Sequence, residues 1–267
     1  MARAAVPGRL TWRVGTVTEV RAETASAKTL VLDVPDWPGH LPGQHVDVRL
    51  TAADGYTAQR SYSIASAWSG EGSATSGASS AGQREDSGHR IELTVQRIED
   101  GEVSTYLTDV LAEGDPLELR GPVGGWFVWR AERTVPVLLL AGGSGVVPLM
   151  AMIRARGVVR GRQLFRLIYS VRTPRDACYA DELARRVRDD PGLDVHYVYT
   201  REVPDGWADP PERISAAALN TYGWPADFDP DCFVCGPTTF VETAADILVA
   251  LGHDPRKIKT ERFGGTS

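Results

Sequence analysis

The change of hydrophobic pattern near residue 134 constrains this chain more than any other feature. Before it, WRVGTVTEVRAE, KTLVLDV, QHVDVRL and RIELTVQRI are short, rich in Val, Leu and Thr, and separated by Pro and Gly clusters. Partial alternation with turn residues between the runs predicts antiparallel strands, arranged as a barrel or a sandwich. After it, VPVLLLAGG is an unbroken apolar strand ending in glycine, the pattern of a strand covered on both faces. Helix and strand patterns then alternate. A helix runs from Pro148 to about Arg156, then come the strand QLFRLIYSV and a helix from Ala180 to Arg188. The strand DVHYVYT, a helix from Ile214 to Leu219, the strand CFVCG and a helix from Thr239 to Leu251 complete the order. Such alternation predicts a parallel, doubly wound sheet. The expected fold is therefore two-domain: an N-terminal antiparallel β-barrel over residues 8–132 and a C-terminal α/β doubly wound domain over residues 133–267. A length of 267 residues suits two domains of roughly 100–150 residues each. Residues 67–90, AWSGEGSATSGASSAGQREDSGHR, hold almost no large apolar side chain and are expected to form a loop inserted in the barrel.

Composition removes several classes. The net charge is -6 with a pI near 5.4, which weighs against a general nucleic-acid binder. No apolar run approaches the ~20 residues of a membrane span, and the opening MARAAVPGRLTWRV has no apolar stretch suited to a signal peptide. The expectation is a cytoplasmic protein with no membrane insertion. The three cysteines, Cys178, Cys232 and Cys235, are too few for a four-thiolate iron–sulfur cluster and wrong in number for a disulfide framework. Cys232 and Cys235 have CxxC spacing, but no second pair of ligands lies nearby to complete a zinc site. No metal is expected, so a redox role would need an organic cofactor.

Three segments carry candidate chemistry. AGGSGVVPLMAMI places Gly143, Ser144 and Gly145 between an apolar strand and a helix, where backbone N–H groups can approach a pyrophosphate at the helix's positive end. Its GxGxxP spacing departs from the usual dinucleotide fingerprint, and a ligand-free Gly-rich turn is the competing reading. In RSYSIAS, period-two geometry sets Arg60, Tyr62 and Ile64 on one strand face and Ser61 and Ser63 on the other. In GEVSTYL, Ser104 or Thr105 is expected to cap a helix, another place where a phosphate can sit. Ligands of open α/β sheets gather beyond the carboxyl ends of the strands, here at Gly142–Gly145, Ser170–Arg172, Thr200–Arg201 and Cys235–Pro237. Gly236 and Pro237 are expected to turn the chain and leave the Cys235 thiol at the sheet's carboxyl edge.

Taken in order, RSYS, GEVSTYL, GPVGGWF, GGSGVVP and CGP resemble the motifs of the ferredoxin–NADP reductase superfamily over nearly the whole chain. The resemblance implies an FAD-binding barrel and a nicotinamide-dinucleotide domain. Arg60 would pair with the flavin pyrophosphate, Tyr62 would pack on the flavin, and Ser63 would sit near the flavin N5 with Ser61 beside it. Val95, Gln96 and Arg97 would line the ring and ribityl chain, and Gly101, Val103, Ser104 and Thr105 would hold the pyrophosphate. Gly143, Ser144 and Gly145 would receive the nicotinamide cofactor's pyrophosphate, and Cys235, Gly236 and Pro237 would lie beside the nicotinamide. Phe263 would cover the flavin, with Glu261 as a nearby acid.

Ser170 and Arg172, assisted by Arg201, suit the 2′-phosphate of NADPH, with NADH the other possibility. The resemblance further implies FAD rather than FMN, and electron transfer to a separate one-electron carrier such as a ferredoxin or flavodoxin; the protein is expected to be a monomer. The alternatives are a flavin or quinone reductase acting on a small molecule, and a flavin-binding regulatory or electron-docking subunit.

Overall fold

The structure is a computed structural model that describes residues 10–68, 89–159 and 161–264. Most of the expected 67–90 loop, residues 69–88, lies outside the described residues.

Six strands, β1 (Trp12–Thr24), β2 (Ala27–Asp33), β3 (His45–Thr51), β4 (Thr57–Ser63), β5 (Arg90–Gln96) and β6 (Pro116–Val123), form an antiparallel sheet in the order β4-β3-β6-β1-β2-β5. Ile64 bridges Leu93, and the Ala65 N–H donates to the Glu92 carbonyl at 2.8 Å, so the two outermost strands meet and the sheet closes into a barrel. Its core holds Leu30, Leu32, Val46, Val48, Leu93 and Leu119. A short helix, α1 (Glu102–Thr105), continues as a π-helical turn over Tyr106–Val110 and adds Val103, Leu107 and Leu111 to that core. Gly101 caps α1; Ser104 and Thr105, the expected caps, lie inside it.

Five parallel strands, β7 (Val137–Gly142), β8 (Phe165–Val171), β9 (Leu193–Tyr199), β10 (Asp231–Pro237) and β11 (Ile258–Phe263), form the second sheet in the order β11-β10-β7-β8-β9. Helices α2 (Val146–Val158), α3 (Ala180–Asp189), α4 (Ala216–Tyr222) and α5 (Thr238–Ala250) cover it. The continuous apolar run of β7 now has a cause. Leu139 and Ala141 pack with α2 and with Phe127 and Trp129 from the segment leaving the barrel, whereas Leu138 and Leu140 pack with α4 and α5. Each fully buried Leu stabilises the fold by about 1.5–3 kcal/mol.

Two strands departed from the expected list: β6, within LELRGPV, and β11, IKTERF, whose mostly polar residues hide an edge strand. Helix α2 begins at Val146 after a 3₁₀ turn over Gly143–Gly145, two residues before Pro148. Helix α4 begins at Ala216, where Ser215 Oγ accepts the Ala218 N–H at 3.2 Å. No helix among the described residues is long and apolar enough to cross a membrane.

Candidate functional site

Two cavities open on the seam between barrel and sheet. The barrel-side cavity, about 420 Å³, is walled by Arg60–Ser63 of β4, Thr94 and Gln96 of β5, and Gly101–Ser104 at the start of α1. The sheet-side cavity, about 410 Å³, lies beyond the carboxyl ends of β7, β8 and β10 and is walled by Gly142–Ser144, Ser170–Arg172, Thr239 and Phe240. Strand order reverses between β7 and β10, the place where such sheets bind ligands. Gln96, Ser144, Pro237 and Phe263 line both cavities, so the two adjoin.

On the barrel side, Arg60 is exposed; its guanidinium donates to the Gln59 carbonyl at 2.7 Å and brings further N–H donors to the cavity. Tyr62 packs on the barrel core, and burial raises its phenol to about 12. Ser61 Oγ donates to Asp47 at 2.7 Å, and Asp47 also accepts from Arg120 at 2.7 Å. Burial alone would raise the Asp47 pKa, but the bonds from Arg120 and Ser61 hold it below the usual range. Ser61 is thus engaged beneath the strand. The Val95 side chain is buried in the barrel core and Val95 lines neither cavity, while Gln96 stands at the junction.

Two further expected residues, Arg97 and Thr105, also sit away from the cavities. The Arg97 guanidinium pairs with Asp109 at 2.8 Å. Ser104 Oγ accepts the Ile98 N–H at 3.1 Å and donates to the Gly101 carbonyl at 3.2 Å, so its hydroxyl fixes the turn before α1. What this turn offers an anion is backbone: the first N–H groups of a helix have no acceptor within it.

On the sheet side, the glycines have separate reasons. Gly143 adopts φ 54°, and a Cβ there would meet nothing within 4 Å, which leaves an open cradle over the helix start. A Cβ on Gly145 would lie 2.1 Å from the Cys235 carbonyl oxygen, and one on Gly142 2.7 Å from the Phe240 ring. Backbone and ring therefore close on this turn from β10 and α5. Ser170 and Arg172 line the cavity, whereas the Arg201 side chain does not; its N–H donates to the Arg172 carbonyl at 2.9 Å. Arg213 lines the cavity instead, a residue the sequence pattern did not single out. Asp176 is also there, its carboxylate accepting from the Thr173 N–H at 3.1 Å and hydroxyl at 2.9 Å.

At the junction, Ser63 Oγ donates to Glu261 Oε1 at 3.2 Å. Burial raises the Glu261 carboxyl to about 7, partly offset by that bond, so near neutral pH it can hold or release a proton. Parallel pairing sets Cys235 opposite Glu261 and Pro237 opposite Phe263. Cys235 lies near the carboxyl end of β10, as expected, but its thiol is not open there. It is 1% exposed, turned into the α2-side core by strand alternation, and burial holds it protonated. Cys232 faces the α4 and α5 side, with His253 Nδ1 at 3.9 Å. The CxxC pair therefore points to opposite faces of the sheet. Among the described residues no group of three His, Cys, Asp or Glu could hold a metal ion. Thr94, walling the barrel-side cavity, was missed because TVQR gives no local sign of which face a single hydroxyl takes.

Comparisons with known proteins agree with this geometry. Residues 139–246 match the oxidoreductase NAD-binding domain family and residues 78–128 the oxidoreductase FAD-binding domain family. The glycine betaine monooxygenase reductase subunit of Chromohalobacter salexigens is 32% identical over 229 residues, 84% of this chain and 56% of that protein. The flavohem-like FAD/NAD-binding domain of nitric oxide dioxygenase from Vibrio cholerae superposes with a TM-score of 0.75 at 26% identity, covering 95% of this chain and 99% of that one. A ferredoxin NADP+ reductase from Neisseria gonorrhoeae, solved with FAD and NADP, shares the fold with a TM-score of 0.73 at 19% identity, covering 94% of this chain and 98% of that one. The chain spans just over half the length of the curated relatives it matches first.

Proposed function

Because the chain belongs to the ferredoxin–NADP reductase superfamily of FAD- and NAD-binding oxidoreductases, we propose that it takes a hydride from NADPH onto FAD and passes the electrons singly to a separate carrier such as a ferredoxin or flavodoxin. The observation that carries the reading is the junction: two cavities adjoin at Gln96, Ser144, Pro237 and Phe263, with an uncharged hydroxyl and a half-buried acid beside them. Bound FAD accepts a hydride at N5 and can return its electrons one at a time. In this reading the flavin domain ends near residue 132 and the nicotinamide domain follows.

The chain's own residues then divide the work. Arg60 and the first N–H groups of α1 hold the flavin pyrophosphate, and Tyr62 packs on the flavin. Gly143, Ser144 and the start of α2 receive the nucleotide pyrophosphate. Ser63 and Glu261 hold a proton at the junction, and Phe263 covers the flavin there. The Cys235 backbone, opposite Glu261, closes on the glycine turn, and its buried thiol packs behind the nicotinamide end of the site. Cys235→Ser is expected to retain FAD and slow flavin reduction about tenfold, ~1.4 kcal/mol of barrier, while Cys232→Ser leaves the rate unchanged. Equal rates in the two variants would remove Cys235 from the site.

NADPH is the preferred donor in this reading. Ser170, Arg172 and Arg213 bring a hydroxyl and two guanidinium groups to the sheet-side cavity, while Asp176 is held by Thr173. The test is kcat/KM with NADPH and NADH for the wild type and Arg172→Ala. A wild-type preference for NADPH that falls about tenfold or more in the variant supports it; equal values in the wild type contradict it. The names of relatives such as the betaine monooxygenase reductase subunit support an oxygenase-type system at the far end of the electron path.

A further inference from the structure

The seam carries a buried polar ring centred on Tyr179, between β8 and α3. Tyr179 is held at φ 60° and ψ 20°. This left-handed conformation is uncommon for a bulky side chain and persists only where neighbours hold it. Here those neighbours belong to the barrel. The Tyr179 N–H donates to Glu23 Oε2 of β1 at 3.2 Å, and its hydroxyl donates to Thr94 of β5. Thr94 Oγ1 lies 2.6 Å from Thr29 Oγ1 of β2, and Thr29 donates to Glu23 Oε1 at 2.7 Å. Each hydroxyl has one proton. With that of Thr29 on the carboxylate and that of Tyr179 on Thr94, the middle bond must run from Thr94 to Thr29. Both donors of Tyr179 therefore end on the same carboxylate, one directly and one through two threonines.

Arg154 of α2 covers this ring. Its guanidinium lies 5.1 Å from the centre of the Tyr179 ring. It donates to Glu92 at 2.9 Å and to the Ala65 carbonyl at 3.0 Å on the barrel, and to Glu182 of α3 at 3.1 Å. Aromatic contacts elsewhere on the seam, such as Phe127 on Phe233 at 5.5 Å, are far less directional. The ring adds bonds of fixed length and direction. Thr94 of the ring walls the barrel-side cavity, and Asp176 and Cys178, which precede Tyr179 in the chain, wall the sheet-side one.

We propose that Tyr179 is a positioning residue for hydride transfer: its hydrogen-bonded ring with Thr94, Thr29 and Glu23 fixes the separation of the nicotinamide-side wall from the flavin-side wall. The inference rests on the reading of function above. In the reaction it serves, the nicotinamide C4–H bond breaks and its electron pair and hydrogen form the bond at flavin N5. No proton or electron passes through the ring. Reacting atoms must come within about 3–3.5 Å, and a misplacement of about 1 Å can slow a reaction about a hundredfold.

The test uses Tyr179→Phe, which removes only the hydroxyl, and Thr29→Val, which breaks the ring at a site lining neither cavity. Thr29→Ser is the conservative control. Each FAD-loaded protein is mixed anaerobically with NADPH, and the limiting rate of flavin reduction is read together with the long-wavelength absorbance of nicotinamide stacked on flavin. Tyr179→Phe and Thr29→Val are expected to keep FAD and normal reduction by dithionite, to lose about tenfold in limiting rate, and to lose most of the stacking absorbance. Thr29→Ser is expected to match the wild type. Melts of FAD-free protein read the ring without turnover: one transition in the wild type is expected to split in Tyr179→Phe. A wild type that neither nicotinamide reduces overturns the reading of function. A reducible wild type matched by Tyr179→Phe in rate and stacking absorbance overturns the positioning role alone.

Discussion

The two cavities adjoin but are made of different material. The barrel-side wall is side chains standing on strands: Arg60, Tyr62, Ser63 and Thr94. Where the sheet-side cavity meets it, the wall is a glycine turn, backbone closed by the Cys235 carbonyl and the Phe240 ring. A strand-built wall should lose function group by group as side chains are removed. A backbone-built wall should fail when an atom is added. Substitutions on the two sides therefore have opposite logic, and each can break the comparison.

The largest effect is expected at Gly145. Gly145→Ala sets a methyl 2.1 Å from the Cys235 carbonyl oxygen, and neither backbone has a soft side chain to yield. Overpacking of this kind costs about 1–3 kcal/mol or more. The variant is expected to melt earlier and to lose nucleotide-driven flavin reduction while still binding FAD. A melt and a flavin assay check it, and an unchanged melting temperature would show the turn to be slack.

Next comes Arg60→Ala, a deletion from the strand-built wall. FAD affinity is expected to weaken by about 1.5–3 kcal/mol, the scale of a charge-assisted hydrogen bond, with the fold intact. Flavin content and a binding titration report it. Undiminished affinity, or a protein that carries FMN alone, would contradict the assignment.

The third prediction is a pH slope, spread over several pH units. Burial raises the Glu261 carboxyl from 4.5 to about 7. The folded protein therefore binds the proton more tightly than the unfolded chain. The stability this group contributes is fully present below pH 4.5 and is lost as pH rises through about 7. Glu261→Gln should remove that decline, at most one proton's worth of slope. Melts at about pH 5 and about pH 8 compare the two proteins; identical slopes would place the carboxyl in water.

The same contrast governs what the sequence makes legible. The switch from alternating to continuous apolar strands is local, so both sheets can be read from it, and the glycine turn follows because β7 ends in AGG. Edge strand β11 is hidden, since IKTERF has one covered face and polar residues along the other. Partners across the fold are hidden too. Nothing near Arg97 announces Asp109, and nothing near Tyr179 announces Glu23 or Thr94. The Cys235 expectation failed for a related reason: a turn at Gly236 and Pro237 does not reveal which sheet face the preceding thiol takes.

The central claim is that the two walls bring a nicotinamide against a flavin at Ser63 and Glu261. Anaerobic titration of the FAD-loaded wild type with NADPH, followed by the flavin's visible absorbance, tests it most directly. The yellow colour is expected to bleach as NADPH is added and to return when a one-electron acceptor follows. Flavin that stays oxidised under both NADPH and NADH, while dithionite bleaches it, would contradict the account.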